Sequence, residues 1–464
     1  MSSFKKKTIL SLATLSTPHL ITAAAAATTE TIQGIFIFSR HGFRTPKILP
    51  PTNLTPLGIE QVYATGQYYR DRYISSNATF PIHGLEEEED AEEQIDVKSP
   101  KDNVLYDSAT EFLRGLYYPG DDDVRVNTLS SSSVENRNEN DVWLQGSSNC
   151  ANAAISSEAY RDSDEYAETY ASSKDFYEGL RGPFLENVDV EASFDNAYAI
   201  YDYLSFSSSS SSSNTNTNNN NKNKNISDSD MKELKRLADI HEYNLAFNKS
   251  DTARAVAGKV LAGEILAAFE KTGTQGGKLF NVQFGPYATF SSFFGLVGFQ
   301  EGPRGVVDYA STMVFELFTT TAEEEDDLFV RFLFANGPLG RMTMDISEEN
   351  ELVAYPLFGQ REVAIPWERF RDEMERIAIR GVGDWCAVCG SSSSSEGGEK
   401  DICKVSTIEG GGNYGEVSVY TAGAIGALVA LFVVLVGQTL VFLLAGLRVV
   451  KKSSLRGYPV GEKI

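Results

Sequence analysis

The sequence predicts an α/β fold followed by one C-terminal transmembrane helix. Short apolar segments with the length of β-strands are mixed with long helical patterns, and this mixture favours helices packed against a sheet. Near the C-terminal end, residues 419–447 contain no charged side chain. Because about 20 apolar residues suffice to cross a bilayer, this stretch predicts a membrane span.

The N-terminal end has the features of a secretory signal peptide, residues 1–27. Three lysines, Lys5 to Lys7, precede an apolar stretch, and the small residues Ala23 to Ala27 follow it. This order is typical of a cleaved leader. Thr17-Pro18-His19 interrupts the apolar stretch, which argues against an uncleaved signal anchor.

Residues 28–390 predict one ectodomain. Its first strand covers Gly34–Ser39, and its first helix runs from about Leu57 to Tyr73, with Thr55 as N-cap and Pro56 in the first turn. A tract rich in Ser and Asn at 205–228 cannot bury a core and predicts a disordered insert. Further helices are expected at Asp230–Phe247, Ala253–Lys271 and Glu368–Ile379, and further strands at Met313–Phe318 and Leu328–Phe334.

After the ectodomain, the composition predicts three segments. Residues 391–418 are rich in Ser and Gly and predict a flexible stalk. The span at 419–447 is followed by a basic tail, 448–464, that the positive-inside rule places in the cytoplasm. Two other interpretations of 419–447 are less favoured. The length of the stretch and the basic residues after it argue against a buried core helix, and a glycolipid-anchor signal would not normally carry a basic tail. We expect a single-pass type I protein of the secretory pathway, at the cell surface or in a vacuolar or other lumenal membrane.

The charge and the glycosylation motifs fit an extracellular chain. The net charge of −23 excludes the profile of a nucleic-acid-binding protein and requires any anion site to be a local basic pocket. No nucleic acid is therefore expected as a partner, and the span at 419–447 makes the membrane an expected one. Four N-glycosylation sequons begin at Asn53, Asn77, Asn225 and Asn248.

The four cysteines predict two disulfides in an oxidising compartment, with three pairings open: Cys150, Cys386, Cys389 and Cys403. The Cys386–Cys389 spacing is also that of a redox pair or of half a zinc site. No second CxxC and no nearby histidine supports zinc. We expect no metal and no cofactor.

The segment 40–46, Arg-His-Gly-Phe-Arg-Thr-Pro, directly follows the first predicted strand and carries the clearest chemistry of the chain. The guanidinium groups of Arg40 and Arg44 are suited to bidentate binding of phosphoryl oxygens. Their charges also keep His41 neutral and able to act as a nucleophile. Gly42 allows the backbone to approach an anion closely. The alternative is a capped strand end with two solvated arginines.

The RHGxRxP string after an apolar strand resembles the signature of the histidine acid phosphatases, the phytase and acid phosphatase branch of the histidine phosphatase superfamily. Three further segments are similar to that family: Leu54–Gly58, Ser108–Tyr117 and Phe293–Gly298. The resemblance covers most of residues 32–390. It implies a mainly parallel sheet sandwiched by helices, with a smaller helical cap domain.

The resemblance also implies a pocket with His41 as catalytic nucleophile and with Arg40 and Arg44 as phosphate-binding residues. The family adds a third arginine, and Val104 occupies that position here. It also adds a His-Asp pair, and Pro286 and Tyr287 stand in its place.

The histidine count supports this second departure. His19 leaves with the predicted leader, and no histidine follows His241. His83 and His241 are expected to be surface or packed helix residues.

These departures remove two groups that phosphoryl transfer needs. An acid that protonates the leaving group contributes about 10²–10⁴ in rate, and a tyrosine with an ordinary pKa of about 10 supplies the proton poorly. Another carboxyl group could supply this proton. Glu86, Asp102 and Glu301 are candidates because they lie near the family's positions in sequence, but no geometric reason selects one of them. We therefore expect a degenerate, membrane-anchored extracellular protein that binds a phosphorylated or other anionic ligand with weak or no turnover.

Two alternatives remain open. One is an active acid phosphatase that hydrolyses phosphomonoesters through a phosphohistidine at His41 and uses a non-standard general acid. The other is a structural surface glycoprotein in which the motif is a relic.

Overall fold

A computed structural model of the chain describes residues 30–85, 94–117, 134–137, 142–186, 188–213, 226–320, 327–344, 350–390 and 403. The predicted leader, most of the predicted stalk, the predicted span and the tail lie outside these residues. Among the described residues, no helix combines the length and the apolar character that a membrane span requires.

The described strands form one mixed sheet. They are β1 (Glu30–Arg40), β2 (Ile95–Pro100), β3 (Val134–Arg137), β4 (Phe280–Gly285), β5 (Thr312–Thr320), β6 (Leu328–Ala335), β7 (Val353–Tyr355) and β8 (Ala364–Pro366). Their order is β3-β2-β4-β1-β5-β6-β7, and β8 also pairs with β6.

The prediction of a mainly parallel sheet is wrong for half of it. The strands β1 to β4 pair with one another in parallel, whereas β5 to β8 add antiparallel pairs. Only residues 321–327 connect β5 to β6. A parallel pair needs a crossover of about a dozen residues or more, so this short connection returns the chain antiparallel.

Helices cover both faces of the sheet. The α-helices of the described residues are α1 (Pro56–Tyr73), α2 (Asn103–Tyr117), α3 (Ala151–Glu158), α4 (Asp164–Phe184), α5 (Ala197–Ser213), α6 (Asp228–Ala246), α7 (Val256–Lys271), α8 (Tyr287–Val297), α9 (Trp367–Glu375) and α10 (Val382–Cys389). The predicted start of α1 is confirmed, because the Thr55 hydroxyl accepts a hydrogen bond from the Gly58 N–H at 3.0 Å.

The alternation of side chains along β1 accounts for the two layers. Ile35 and Ile37 belong to a core shared with α1 and α2, whereas Phe36 and Phe38 belong to a core shared with α7, α8 and α9. Successive side chains of a strand point to opposite faces, so one strand serves both cores. The predicted sandwich of a sheet between helices is confirmed.

The helices α4, α5 and α6 share a third hydrophobic cluster, which includes the buried residues Tyr177, Leu204 and Leu234. This cluster is the helical part that the sequence led us to expect beside the sheet. It is not a separate domain, because residues up to Lys404 form one compact unit.

The predicted insert at 205–228 overlaps two helices. The helix α5 continues through the serine run to Ser213, and α6 begins at Asp228. The hydroxyls of Ser207 and Ser209 donate to carbonyl oxygens four residues earlier, at 2.9 and 3.0 Å. Serine satisfied in this way is compatible with a helix. Residues 214–225 lie outside the described part of the chain.

Two disulfides are present, Cys150–Cys389 and Cys386–Cys403. The prediction of two bonds is confirmed, and each cysteine of the CxxC segment pairs with a cysteine outside that segment. The first bond joins the start of α3 to the end of α10. It packs in a small cluster with Trp385, whose Nε1–H donates to the Gly146 carbonyl oxygen at 3.0 Å.

Candidate functional site

The motif segment begins at the C-terminal end of β1, in the middle of the sheet. Arg40 is the last residue of β1 and lies in register with Gly285, the last residue of β4. On the other side, Ser39 pairs with Thr312 of β5. Ligands in open α/β sheets bind beyond the carboxyl ends of parallel strands, so the motif occupies the edge where a site is expected.

Hydrogen bonds from α1 and α2 fix the backbone of the motif loop. The Phe43 N–H donates to Oε1 of Gln61 at 2.8 Å, and the Phe43 carbonyl oxygen accepts from the N–H and the hydroxyl of Thr55, both at 3.0 Å. The Gly42 N–H donates to the Ser108 hydroxyl at 3.3 Å. The loop is therefore held by the starts of both helices.

Two glycines allow the loop to lie directly against α1. A Cβ atom on Gly42 would be 2.2 Å from the carbonyl oxygen of Gly58, and a Cβ on Gly58 would be 2.0 Å from that of Phe43. Both obstacles are backbone atoms. Glycine is required here because of a close approach, not because of an unusual φ angle.

The imidazole of His41 is oriented by its own loop. Its Nδ1 lies 2.8 Å from the Gly42 carbonyl oxygen, which can only accept, so Nδ1 carries the proton and Nε2 keeps a lone pair. Burial, followed by the charges of Arg40 and Arg44, lowers the pKa of His41 well below 6.5. The neutral form that a nucleophile needs is therefore present at neutral pH.

Arg44 is buried and has an anionic partner within the chain. Its Nη1 lies 3.0 Å from Oδ2 of Asp202 on α5, and the side chains of the pair are 2% and 1% exposed. Its Nη2 donates to the Tyr198 hydroxyl at 3.0 Å. Burial opposes the charge, but Tyr198, Tyr309 and Asp202 raise the pKa of Arg44, so the guanidinium remains charged.

Arg40 is enclosed by aromatic rings. Its Cζ lies 4.1 Å from the ring centre of Tyr309 and 5.2 Å from that of Tyr287. Its Nη1 donates to the Val307 carbonyl oxygen, and its Nη2 lies 3.4 Å from the Tyr198 hydroxyl. The Nε is buried and has no partner in the described part of the chain. Both arginines are buried, which rules out a strand end with solvated arginines.

A family model of the histidine phosphatase superfamily, branch 2, matches residues 47–335. The chain belongs to this family. The matched range begins directly after the motif, residues 40–46. The motif lies at the end of β1, and this strand pairs with β4 and β5, which both belong to the matched range.

Solved phytases share the fold at low sequence identity. The phytase of Klebsiella sp. ASR1 is 11% identical, with a TM-score of 0.53 over 76% of this chain and 97% of that one. The Hafnia alvei phytase in complex with tartrate is 12% identical, with a TM-score of 0.50 over 75% of this chain and 98% of that one. No curated protein gives a significant match.

In this member of the histidine phosphatase superfamily, the positions predicted to be degenerate lie at the same sheet edge as the motif. Val104 is buried in the first turn of α2, and its carbonyl oxygen accepts from the Ser108 hydroxyl that also contacts Gly42. Pro286 directly follows β4 and caps α8, and Tyr287 is the first residue of that helix.

Tyr287 does not have the chemistry of a strong acid. Its hydroxyl donates to Oε2 of Glu242 at 2.6 Å. Burial, followed by the charge of Glu242, raises the pKa of Tyr287 well above 10. The hydroxyl therefore keeps its proton and holds a carboxylate at the end of β4.

The two described histidines outside the motif, His83 and His241, have the environments that the sequence predicted. His83 is exposed in the loop after α1. His241 is packed on α6, where its Nδ1 lies 2.8 Å from Oε1 of Glu242 and its ring is 5.2 Å from that of Phe194. Its chain neighbour Glu242 thus links His241 to Tyr287.

The structure does not favour any of the three carboxyl groups that the sequence offered as replacement acids. Asp102 is exposed and its Oδ1 caps α2 by accepting from the Leu105 N–H at 3.0 Å. Glu301 is exposed, and Glu86 lies outside the described residues. Among the sequons, Asn53 and Asn77 are exposed, Asn248 is half-buried, and Asn225 is not described.

Sequence reasoning missed Tyr198, Asp202 and Tyr309, three of the residues that contact the two arginines. The first two come from α5, and Tyr309 comes from the loop before β5. One signal was present, because Tyr198 and Asp202 are four residues apart and so share a face of a helix. The sequence spacing alone does not show that this helix face packs against the motif; the structure is needed for that.

Proposed function

We propose that this chain is a histidine-phosphatase-like protein that binds a phosphorylated or other anionic small molecule and turns over phosphomonoesters weakly or not at all. The proposal rests on one observation. A neutral His41 and two buried arginines lie at the end of β1, while the adjacent end of β4 carries a tyrosine that keeps its proton.

The missing groups determine the expected chemistry. Attack by Nε2 of His41 on a phosphoryl group breaks the bond to the leaving oxygen, which then needs a proton. Loss of a positioned acid costs about 10²–10⁴ in rate. Val104 adds no positive charge toward the equatorial oxygens, and one missing donor of that kind costs about 10²–10³.

Turnover of para-nitrophenyl phosphate by the full-length chain between pH 3 and 8 tests this function. We expect a rate at least about 10²-fold below that of a phytase assayed in parallel, because the acid is absent. His41→Ala should remove any residual rate, whereas His83→Ala, at an exposed histidine, is the matched control and should leave it unchanged. A wild-type rate close to that of the phytase, abolished by His41→Ala alone, would contradict the proposal.

A second candidate function is an active acid phosphatase with Glu242 as the acid. Its Oε2 lies 2.6 Å from the Tyr287 hydroxyl, so a carboxyl group is present near the end of β4. If wild-type turnover is fast, Glu242→Gln should lower it by at least about 10²-fold and should remove the high-pH limb of the pH profile, because a general acid stops working when it loses its proton. Glu233→Gln, an exposed site on the same helix, should leave both unchanged.

We also propose that the protein is a glycosylated type I protein of the secretory pathway, anchored through residues 419–447. The support comes from the sequence, in the leader, the uncharged stretch and the basic residues after it. External protease on intact cells should spare an epitope placed in the tail, and digestion of that epitope would contradict this topology.

A further inference from the structure

The Asp202 carboxylate has the surroundings of a bound oxyanion. It accepts from Nη1 of Arg44 at 3.0 Å, from the backbone N–H of Lys47 at 3.0 Å and from the Tyr309 hydroxyl at 2.8 Å. A guanidinium, a backbone N–H and a hydroxyl are the donors that proteins use to bind phosphate or sulfate. Asp202 is 3% exposed, so water does not replace these contacts.

The same helix also supplies an acceptor to both arginines. The Tyr198 hydroxyl lies 3.0 Å from Nη2 of Arg44 and 3.4 Å from Nη2 of Arg40. Tyr198 and Asp202 are one helical turn apart on α5 and therefore face the motif together. Both guanidiniums thus donate to atoms of one helix.

A charge argument shows what this arrangement does to a ligand. A buried guanidinium that loses its carboxylate is strongly destabilised unless another anion replaces it. An external oxyanion that binds Arg44 beside a retained Asp202 would place two negative charges at one cation, in a buried site where Coulomb repulsion is poorly screened. The two anions therefore compete.

We propose that Asp202 is an internal competitor for the anion site: its carboxylate occupies Arg44, and an external oxyanion binds there only by displacing it. This inference rests on the proposed function, because it concerns the same site. It predicts that the chain binds external anions weakly although it retains both motif arginines. It also makes α5 the element whose position reports whether the site holds its own carboxylate or a ligand.

Inorganic sulfate tests the competition, because it has the shape and charge of phosphate and undergoes no phosphoryl transfer. Sulfate binding to the full-length chain would be measured by calorimetry for wild type and for Asp202→Asn, which keeps the shape of the side chain and removes the charge. We expect millimolar or weaker binding for wild type and at least about tenfold tighter binding for the variant.

Two controls separate local competition from general charge effects. Glu233→Gln removes one negative charge at an exposed site on α6 and should leave sulfate affinity unchanged. Adding Arg44→Ala to Asp202→Asn should remove the gained affinity, because the competed cation is then absent. Melting temperatures with and without sulfate serve as a second measurement, and the variant should gain more from sulfate than wild type does.

Equal sulfate affinity of wild type and Asp202→Asn would overturn the inference. A variant that stays unfolded both without and with sulfate would also overturn it, because Asp202 would then be a core residue that no ligand replaces. Fast wild-type turnover of para-nitrophenyl phosphate would refute the proposed function while leaving the sulfate comparison valid. The two failures are therefore distinguishable.

Discussion

Replacing Glu316 with alanine is expected to lower the free energy of unfolding by about 3–5 kcal/mol. Glu316 lies in β5 and is completely buried. Its carboxylate accepts from Nη2 of Arg72 at 2.9 Å, from Nε of Arg331 at 2.7 Å and from the Tyr73 hydroxyl at 2.5 Å. Without it, two largely buried guanidiniums lose this partner, and α1 loses one of its polar links to β5.

Chemical unfolding followed by circular dichroism measures the loss. Glu368→Ala is the matched control, because Glu368 also pairs with an arginine, Arg371, but is 69% exposed. Exposed pairs contribute about 0–1 kcal/mol, so the control should change the free energy of unfolding little. Similar losses for the two variants would show that the Glu316 network does not stabilise the fold as the burial indicates.

Gly58→Ala is expected to destabilise the protein by about 1–3 kcal/mol or more and to displace the motif loop. The added methyl would overlap the Phe43 carbonyl oxygen, which already accepts two hydrogen bonds from Thr55. Neither backbone can move without breaking those bonds. The higher helix propensity of alanine, worth about 1 kcal/mol, offsets only part of this cost.

Gly179→Ala provides the comparison, because Gly179 lies inside α4 and an added Cβ would meet no atom of a neighbouring described segment within 4 Å. At this position only the higher helix propensity of alanine acts, and we expect the free energy of unfolding to rise by about 0.5–1 kcal/mol. Chemical unfolding measures the change in the free energy of unfolding for both variants. A decrease for Gly58→Ala together with an increase for Gly179→Ala would support the close contact between the loop and α1. A stabilising Gly58→Ala would contradict it.

Local signals in the sequence were sufficient for the first half of the site. The apolar run of β1, the cap formed by Thr55 and the motif itself lie within about one strand and one helix, so short-range rules place them correctly. The pairing of β5 to β8 was not predictable in this way. Strand direction there follows from the short connection at 321–327 and from partners far away in sequence.

The partners of the two arginines were also beyond local reasoning. Asp202 contacts Arg44 across 158 residues of sequence, and Tyr309 contacts Asp202 across 107. The serine run after Asp202 suggested a loop, whereas α5 extends through it. Because no helix was predicted over 197–213, the helix face that carries Tyr198 and Asp202 was not recognised.

The central position of β1 has a consequence for the order of events during synthesis. The first described strand to emerge from the ribosome, β1, pairs with β4 and β5, which begin at Phe280 and Thr312. At about 5–20 residues per second, its partners appear tens of seconds later. Until β4 and β5 have been synthesised, the apolar strand β1 and the complete Arg-His-Gly-Phe-Arg-Thr-Pro sequence lack the neighbouring strands with which β1 pairs. A nascent chain that stops before β5 would therefore carry the whole motif and no assembled site.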